Sequence, residues 1–212
     1  RLDDYAFAYC GELVEVNFNE GLKGIGPYAF AFCEAMRMIR LPSTVTTIGD
    51  SAFMFCSMLR RAELGECVET IGPNAFSGAT FRQGQIICFT ERLNTIFKDA
   101  FTGINILPRS TQDASLADDL TLVFEGNRPP LIDKNQILDY ADSTCRINYA
   151  VPDIATYVAS DIQWTYTTLM TIEDLLRGQI SPENEITVSD STEVQVNVVV
   201  DKEEDDDVLG PT

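Results

Sequence analysis

Histidine is missing from this 212-residue chain. Its absence removes Ser-His-Asp and Cys-His catalysis and imidazole metal ligation together, leaving Lys, Tyr and carboxylate mechanisms. Basic residues are scarce, with 15 Lys and Arg against 33 Asp and Glu and a net charge of −18. That balance argues against nucleic acid or anionic membrane as partner, because phosphate binding needs clustered Lys and Arg. No apolar run approaches the roughly 18 residues of a membrane span. The six cysteines show no CxxC or other metal-ligand spacing. No signal-peptide pattern opens the chain, which starts at Arg1 and reads as an excised or processed piece. These absences predict an acidic, non-catalytic chain without a cofactor signature.

Charge is unevenly spread. Residues 1–172 hold 21 acids and 13 bases, a balance of −8, whereas residues 173–212 hold 12 acids and 2 bases, a balance of −10. Body and tail therefore need separate explanations.

The body is a repeat. LDDYAFAYC (2–10), IGPYAFAFC (25–33), IGDSAFMFC (48–56), IGPNAFSGA (71–79) and IFKDAFTGI (96–104) align without internal gaps. Their Ala-Phe pairs recur every 23 residues and then once at 25, which places a two-residue insertion near Arg82–Gln85. A second periodic set runs between the blocks. Leu13, Val16, Phe18 and Leu22 recur as Met36, Ile39, Leu41 and Val45, then as Leu59, Ala62, Leu64 and Val68; Ile87, Phe89 and Leu93 continue it. This alternation predicts a short strand with one face inward. The Gly-Pro or Gly-Asp before Ala-Phe predicts a turn opening a short helical or 3₁₀ segment, with Pro27 and Pro73 in the first helical position. A rung cannot bury its apolar side alone, so stacking is required. The expected fold is an α/β repeat solenoid of about five rungs over residues 1–110, with a parallel sheet on one face and short helical pieces on the other.

The pattern Leu-x-x-Val-x-Leu…Val-x-x-Ile-Gly-x-x-Ala-Phe-x-x-Cys-x-x-Leu resembles the BspA-like leucine-rich repeat of bacterial cell-surface proteins. FEGNRPP (124–130), NYAVPDIATY (148–157) and IQWTYTTLMTI (162–172) are similar to the unit that closes many such arrays. The resemblance implies a right-handed superhelix with a C-terminal cap over 111–176. It also implies an extracellular or surface-displayed module, non-catalytic and adhesin-like, with a host or microbial protein or glycan as partner. A lipid anchor would lie in a segment outside this piece, and the module would be monomeric. The competing readings are a structural spacer and, more remotely, a carboxylate-based hydrolase, for which no Asp/Glu pair is singled out by a motif.

Leu2 occupies the place of Ile25, Ile48 and Ile71, so the first rung lacks its strand half and reads as truncation of a longer array, with a divergent N-terminal cap as the alternative. In the cap, Asp153 is placed to cap a helix through Tyr157 and Val158, and Trp164, Tyr166, Leu169 and Ile172 supply cover. Residues 177–212 read as a hairpin between ITV (186–188) and EVQVNVVV (193–200), then an acidic tail or linker. The run DKEEDDD (201–207) lacks the ordered spacing and Gly of a Ca²⁺ loop, so no metal site is assigned.

Three sets of residues invite a functional reading. Cys10, Cys33 and Cys56 share one repeat phase, which Ala79 and Ile104 take in later rungs. A position that accepts Cys, Ala or Ile is a small apolar slot, so free structural thiols are expected. Tyr9, Phe32 and Phe55 stand just before that slot, where Gly78 and Gly103 carry the smaller residue usual in the family. They form either a packing ladder or an exposed aromatic strip. By strand alternation Glu15, Asn17, Met38, Arg40, Arg61, Glu63, Ile86 and Cys88 point away from the core. This inner, concave face is a candidate protein-binding surface, since Arg and Met are enriched at interfaces.

Overall fold

A computed structural model describes residues 1–82, 85–107, 120–132, 147–160, 167–177 and 185–186. Its strands in chain order are β1 Gly24–Ile25, β2 Met38–Arg40, β3 Thr47–Ile48, β4 Arg61–Glu63, β5 Thr70–Ile71, β6 Thr80–Arg82, β7 Ile86–Phe89, β8 Thr95–Ile96 and β9 Asn105–Leu107. They are followed by β10 Leu120–Phe124, β11 Leu131–Ile132, β12 Ile147–Val151, helix α1 Ile154–Val158, β13 Thr167–Thr171, helix α2 Ile172–Arg177 and β14 Glu185–Ile186.

The 23-residue period sets like residues above like. Phe30, Phe53, Phe76 and Phe101 form one fully buried column, with successive ring centroids 5.3, 5.4 and 5.3 Å apart and the rings nearly parallel. Ile25, Ile48, Ile71 and Ile96 form a second buried column, and Val45, Val68 and Leu93 a third. Burying a side chain of this size contributes about 1.5–3 kcal/mol. Each of these rungs repeats that gain only because the next one covers it.

A rung carries two ladders where one strand was expected. The predicted alternation is present in β2 and β4, which pair in parallel, Met38 opposite Arg61 and Arg40 opposite Glu63. The second ladder joins β1, β3, β5, β8 and β11 in parallel, Ile25 through Ile132 in register. It was hidden because each strand is only two residues long, too short for a periodic signal. Residues 15–18 of the first rung, also expected as a strand, form no ladder with β2; there Arg37 N–H bonds the Val14 carbonyl at 3.0 Å. From the fourth rung a third ladder appears, β6 against β9.

The Ala-Phe blocks are rows of turns, in place of the short helical pieces expected. Ala29, Ala31 and Cys33 donate back to Gly26, Tyr28 and Phe30 at 3.1–3.2 Å, but the N–H groups between them leave the rung. Tyr28, Phe30 and Phe32 donate instead to the carbonyls of Asp50, Ala52 and Met54 in the next rung, each at 2.8 Å. A continuous helix is impossible because two residues per block are left-handed: Tyr28 (φ 55°) and Phe32 (φ 61°) here, Ser51 and Phe55, or Asn74 and Gly78, in later rungs.

Beyond residue 110 the ladders continue. β10 pairs with β7 and β12, β12 with β13, all in parallel. Asp153 caps α1 as expected, accepting from Thr156 N–H at 3.0 Å. Tyr157 is buried, and its hydroxyl donates to the carbonyls of Gly126 (2.8 Å) and Arg128 (3.3 Å), tying α1 to the turn after β10. Leu169 is buried and Ile172 half-buried; Trp164, Tyr166, Cys145, residues 187–212 and with them the DKEEDDD run lie outside the described residues. β14 pairs antiparallel with β13, Ile186 opposite Thr167, so the segment expected in a hairpin adds to the edge of this sheet.

Candidate functional site

All eight residues assigned to the sheet face lie outward. Glu15, Asn17, Arg40, Arg61, Ile86 and Cys88 are exposed, and Met38 and Glu63 half-buried. The strands place them: Ile39, Ala62, Ile87 and Phe89 point into the core, so their neighbours face out. Arg40 Nε donates to Glu63 Oε2 at 2.6 Å, and Arg61 reaches Glu63 Oε1 at 2.7 Å. The hydrogen bond from Arg40, helped by the charge of Arg61, holds the Glu63 carboxyl below its usual range. Beside this triad lies a groove of about 220 Å³ whose lining includes Glu15, Asn17, Met38, Arg40 and Ser43.

The face is not open along its whole length. Cys88, Val123, Ala150 and Met170 share one row across β7, β10, β12 and β13. Cys88 is exposed, but Val123, Ala150 and Met170 are buried beneath Ile172 and Leu175 of α2. All five residues of β10 are consequently buried. Among the described residues the accessible face lies on β2, β4 and β7, and α2 closes its C-terminal side. The alternation of apolar residues could not show this, since it marks only which side faces the core.

The aromatic strip forms two stacks. Tyr9 and Phe32 lie 4.8 Å apart and nearly parallel, with Phe55 next at 5.1 Å and tilted by 31°. Tyr5 and Tyr28 stack at 4.9 Å one column away. Tyr9 is 72% exposed and Phe55 41%, while Phe32 is half-buried. Face-to-face stacking turns the ring faces toward one another and leaves mainly edges outward, which is the packing-ladder geometry. Tyr9, Phe32 and Phe55 all have φ between 55° and 61°, in the region that Gly78 and Gly103 occupy without strain. The glycines were the signal in the sequence that this position is left-handed. A Cβ on Gly78 would stand 2.4 Å from the Phe55 ring, so Phe55 fills the space a fourth ring would need.

The thiol slot is as expected in the interior. Cys33 and Cys56 are free and buried; their Sγ atoms donate to the carbonyls of Phe7 (3.1 Å) and Phe30 (3.3 Å). Burial pushes the Cys33 thiol up to about 11 and Cys56 higher still. A thiol held protonated is a poor nucleophile and a poor metal ligand. Cys10, Cys67 and Cys88 are also free, and among the described residues no cluster of Cys, Asp and Glu is arranged to hold a metal.

Two parallel ladders at a 23-residue step, an Ile-Gly turn and a buried Ala-Phe column describe one kind of repeat. The model for the BspA-type leucine-rich repeat region matches residues 1–116 in six copies. The chain belongs to this BspA-type leucine-rich repeat family. No curated protein and no solved structure matches it. Membership in the BspA-type family supports a repeat module for interaction or surface display, a class that is generally non-catalytic and typically found on cell surfaces. No helix among the described residues is long and apolar enough to cross a membrane.

Proposed function

We propose that this BspA-type array is a non-catalytic, adhesin-like binding module displayed outside a bacterial cell, monomeric, and directed at a host or microbial surface protein. In this reading residues 1–110 wind as a right-handed solenoid, 111–176 cap it, Glu185–Ile186 extend the sheet of the cap, and the acidic end of 177–212 serves as linker or tail. The observation that carries the proposal is the sheet face on β2, β4 and β7. On β2 and β4 the half-buried Met38 stands with the Arg40–Glu63–Arg61 ion pairs and on β7 Ile86 is exposed, while the same face is covered from β10 onward. Apolar side chains within a rim of Arg and Glu are the usual make-up of a protein interface.

Surface plasmon resonance of the immobilised chain against matrix proteins, mucins and polysaccharides tests it. Binding to a protein partner that Arg40→Glu with Arg61→Glu abolishes, at unchanged melting temperature, supports the face. A glycan partner displaced by the same pair moves the ligand class and keeps the face. The second reading, a rigid spacer, draws on the ion pairs themselves: Arg40 and Arg61 both already pair with Glu63 within the array. It prevails if the intact array binds nothing and a flanking domain does.

A further inference from the structure

The Arg40–Glu63–Arg61 triad shows how these rungs hold a carboxylate. Arg40 on β2 and Arg61 on β4 approach it from adjacent rungs, and each takes one oxygen of Glu63, at 2.6 and 2.7 Å. A carboxylate suits two guanidinium groups because its two oxygens accept separately, and charge-assisted bonds of this kind are about twice as strong as neutral ones.

The same two rungs carry a second arginine pair. Arg37 and Arg60 occupy equivalent places just before β2 and β4. The Arg60 N–H bonds the Arg37 carbonyl at 2.9 Å, so the two residues stand one strand spacing apart, about 4.8 Å. Neither side chain has an ion pair or hydrogen bond among the described residues. Arg37 is exposed; Arg60 is half-buried, its Nε enclosed without an acceptor while its terminal nitrogens are not enclosed. Val14 holds this place in the first rung, so the repeat does not require a base there. Glu63 has both oxygens engaged, and the exposed Glu12, Glu15 and Glu34 form no ion pair with either arginine. Two like charges side by side repel, and the array supplies no acid to bridge them.

We propose that Arg37 and Arg60 clamp a carboxylate from an acidic segment of the protein partner, at the margin of the sheet face. The inference rests on the protein-binding reading of that face and names the chemistry its partner brings. The carboxylate lies between the two guanidinium groups as Glu63 lies between Arg40 and Arg61, and an apolar side chain beside it meets Met38. A sulfated glycan is a poorer fit. It carries no apolar side chain for Met38 or Ile86, and its dense charge would face Glu15 and Glu63, where like charges repel.

Calorimetry of the full chain with an acetylated peptide alternating Glu and Val, its Gln–Val counterpart and a heparin-derived oligosaccharide tests the clamp. The Glu–Val peptide should bind and weaken with added salt. The Gln–Val peptide should bind about tenfold more weakly, the scale of a lost hydrogen bond to a charged group. Arg37→Gln changes an exposed side chain and so keeps the fold; it should weaken the Glu–Val peptide by a similar factor. Arg37→Gln with Arg60→Gln should abolish the preference for Glu over Gln. Arg37→Lys, which keeps the charge and loses the planar fork, should restore only part of the affinity. No binding of either peptide, equal binding of both, full affinity in the Arg37→Gln chain, or tighter binding of the heparin oligosaccharide overturns the proposal. The sheet face is judged separately. If Arg40→Glu with Arg61→Glu abolishes capture of a protein that Arg37→Gln leaves untouched, the face stands and the clamp falls.

Discussion

Phe53 shows what one residue carries in a solenoid. Its ring is fully buried and stacked on Phe30 and Phe76 at 5.3 and 5.4 Å, so truncation removes two ring contacts as well as its own burial. Phe53→Ala should cost about 3–5 kcal/mol, read as a shift in urea midpoint at unchanged slope; a neutral result would contradict the column. Cys33 and Cys56 make a different prediction. Their thiols normally ionise near 9.0, and in the fold burial raises both, Cys33 to about 11. The folded chain therefore holds these protons after the unfolded chain has released them. Stability is fully present below pH 9 and falls as pH rises from 9 toward 11. A Cys33→Ala, Cys56→Ala chain, using the residue that Ala79 already supplies in this slot, should show a flatter decline in melting temperature over that window. Equal slopes in both chains would mean that other groups control alkaline unfolding.

At the scale of the element, two connections test the architecture. Gly65 follows β4 at φ 75°, and a Cβ there would stand 2.7 Å from the Pro42 carbonyl oxygen, a backbone atom that cannot swing away. Gly65→Ala combines left-handed strain with that clash and should cost about 1–3 kcal/mol, measured by chemical denaturation. Tyr157→Phe leaves two turn carbonyls short of a donor and should cost about 1 kcal/mol. What the sequence revealed about elements follows the length of their signals. The Phe and Ile columns were legible because one residue type returns at a fixed step, and β2 and β4 because three residues suffice for alternation. The turn rows were not, since nothing within Tyr28-Ala-Phe-Ala-Phe32 itself announces φ near 60° at its ends, and only Gly78 and Gly103 in later rungs mark one of the two positions. The outward residues Arg40, Arg61 and Glu63 were legible one by one. Their joining into a triad, and the closing of the face by α2, depend on neighbours far apart in the chain.

At the scale of the whole molecule, each rung touches only the rungs beside it, so stability is distributed as a chain of nearest-neighbour terms. The direction of the hydrogen bonds makes this measurable: Phe7 N–H bonds Ala29 in the next rung, Phe30 bonds Ala52, Phe53 bonds Ala75 and Phe76 bonds Ala100. These equivalent amides report rung by rung on local opening. Phe7, Leu13, Val16 and Phe18 are half-buried, whereas their counterparts in the next rungs are buried. Hydrogen exchange should thus be fastest at Phe7 and slowest at Phe53 and Phe76, the difference exceeding about tenfold, or about 1.4 kcal/mol of opening free energy. Uniform protection would instead make the array one cooperative block. The same amides locate ligands, because a partner on β2, β4 and β7 stabilises the rungs it spans. A protein on the sheet face should slow exchange in those strands. Slowing confined to residues away from that face would place the binding surface elsewhere on the repeat array.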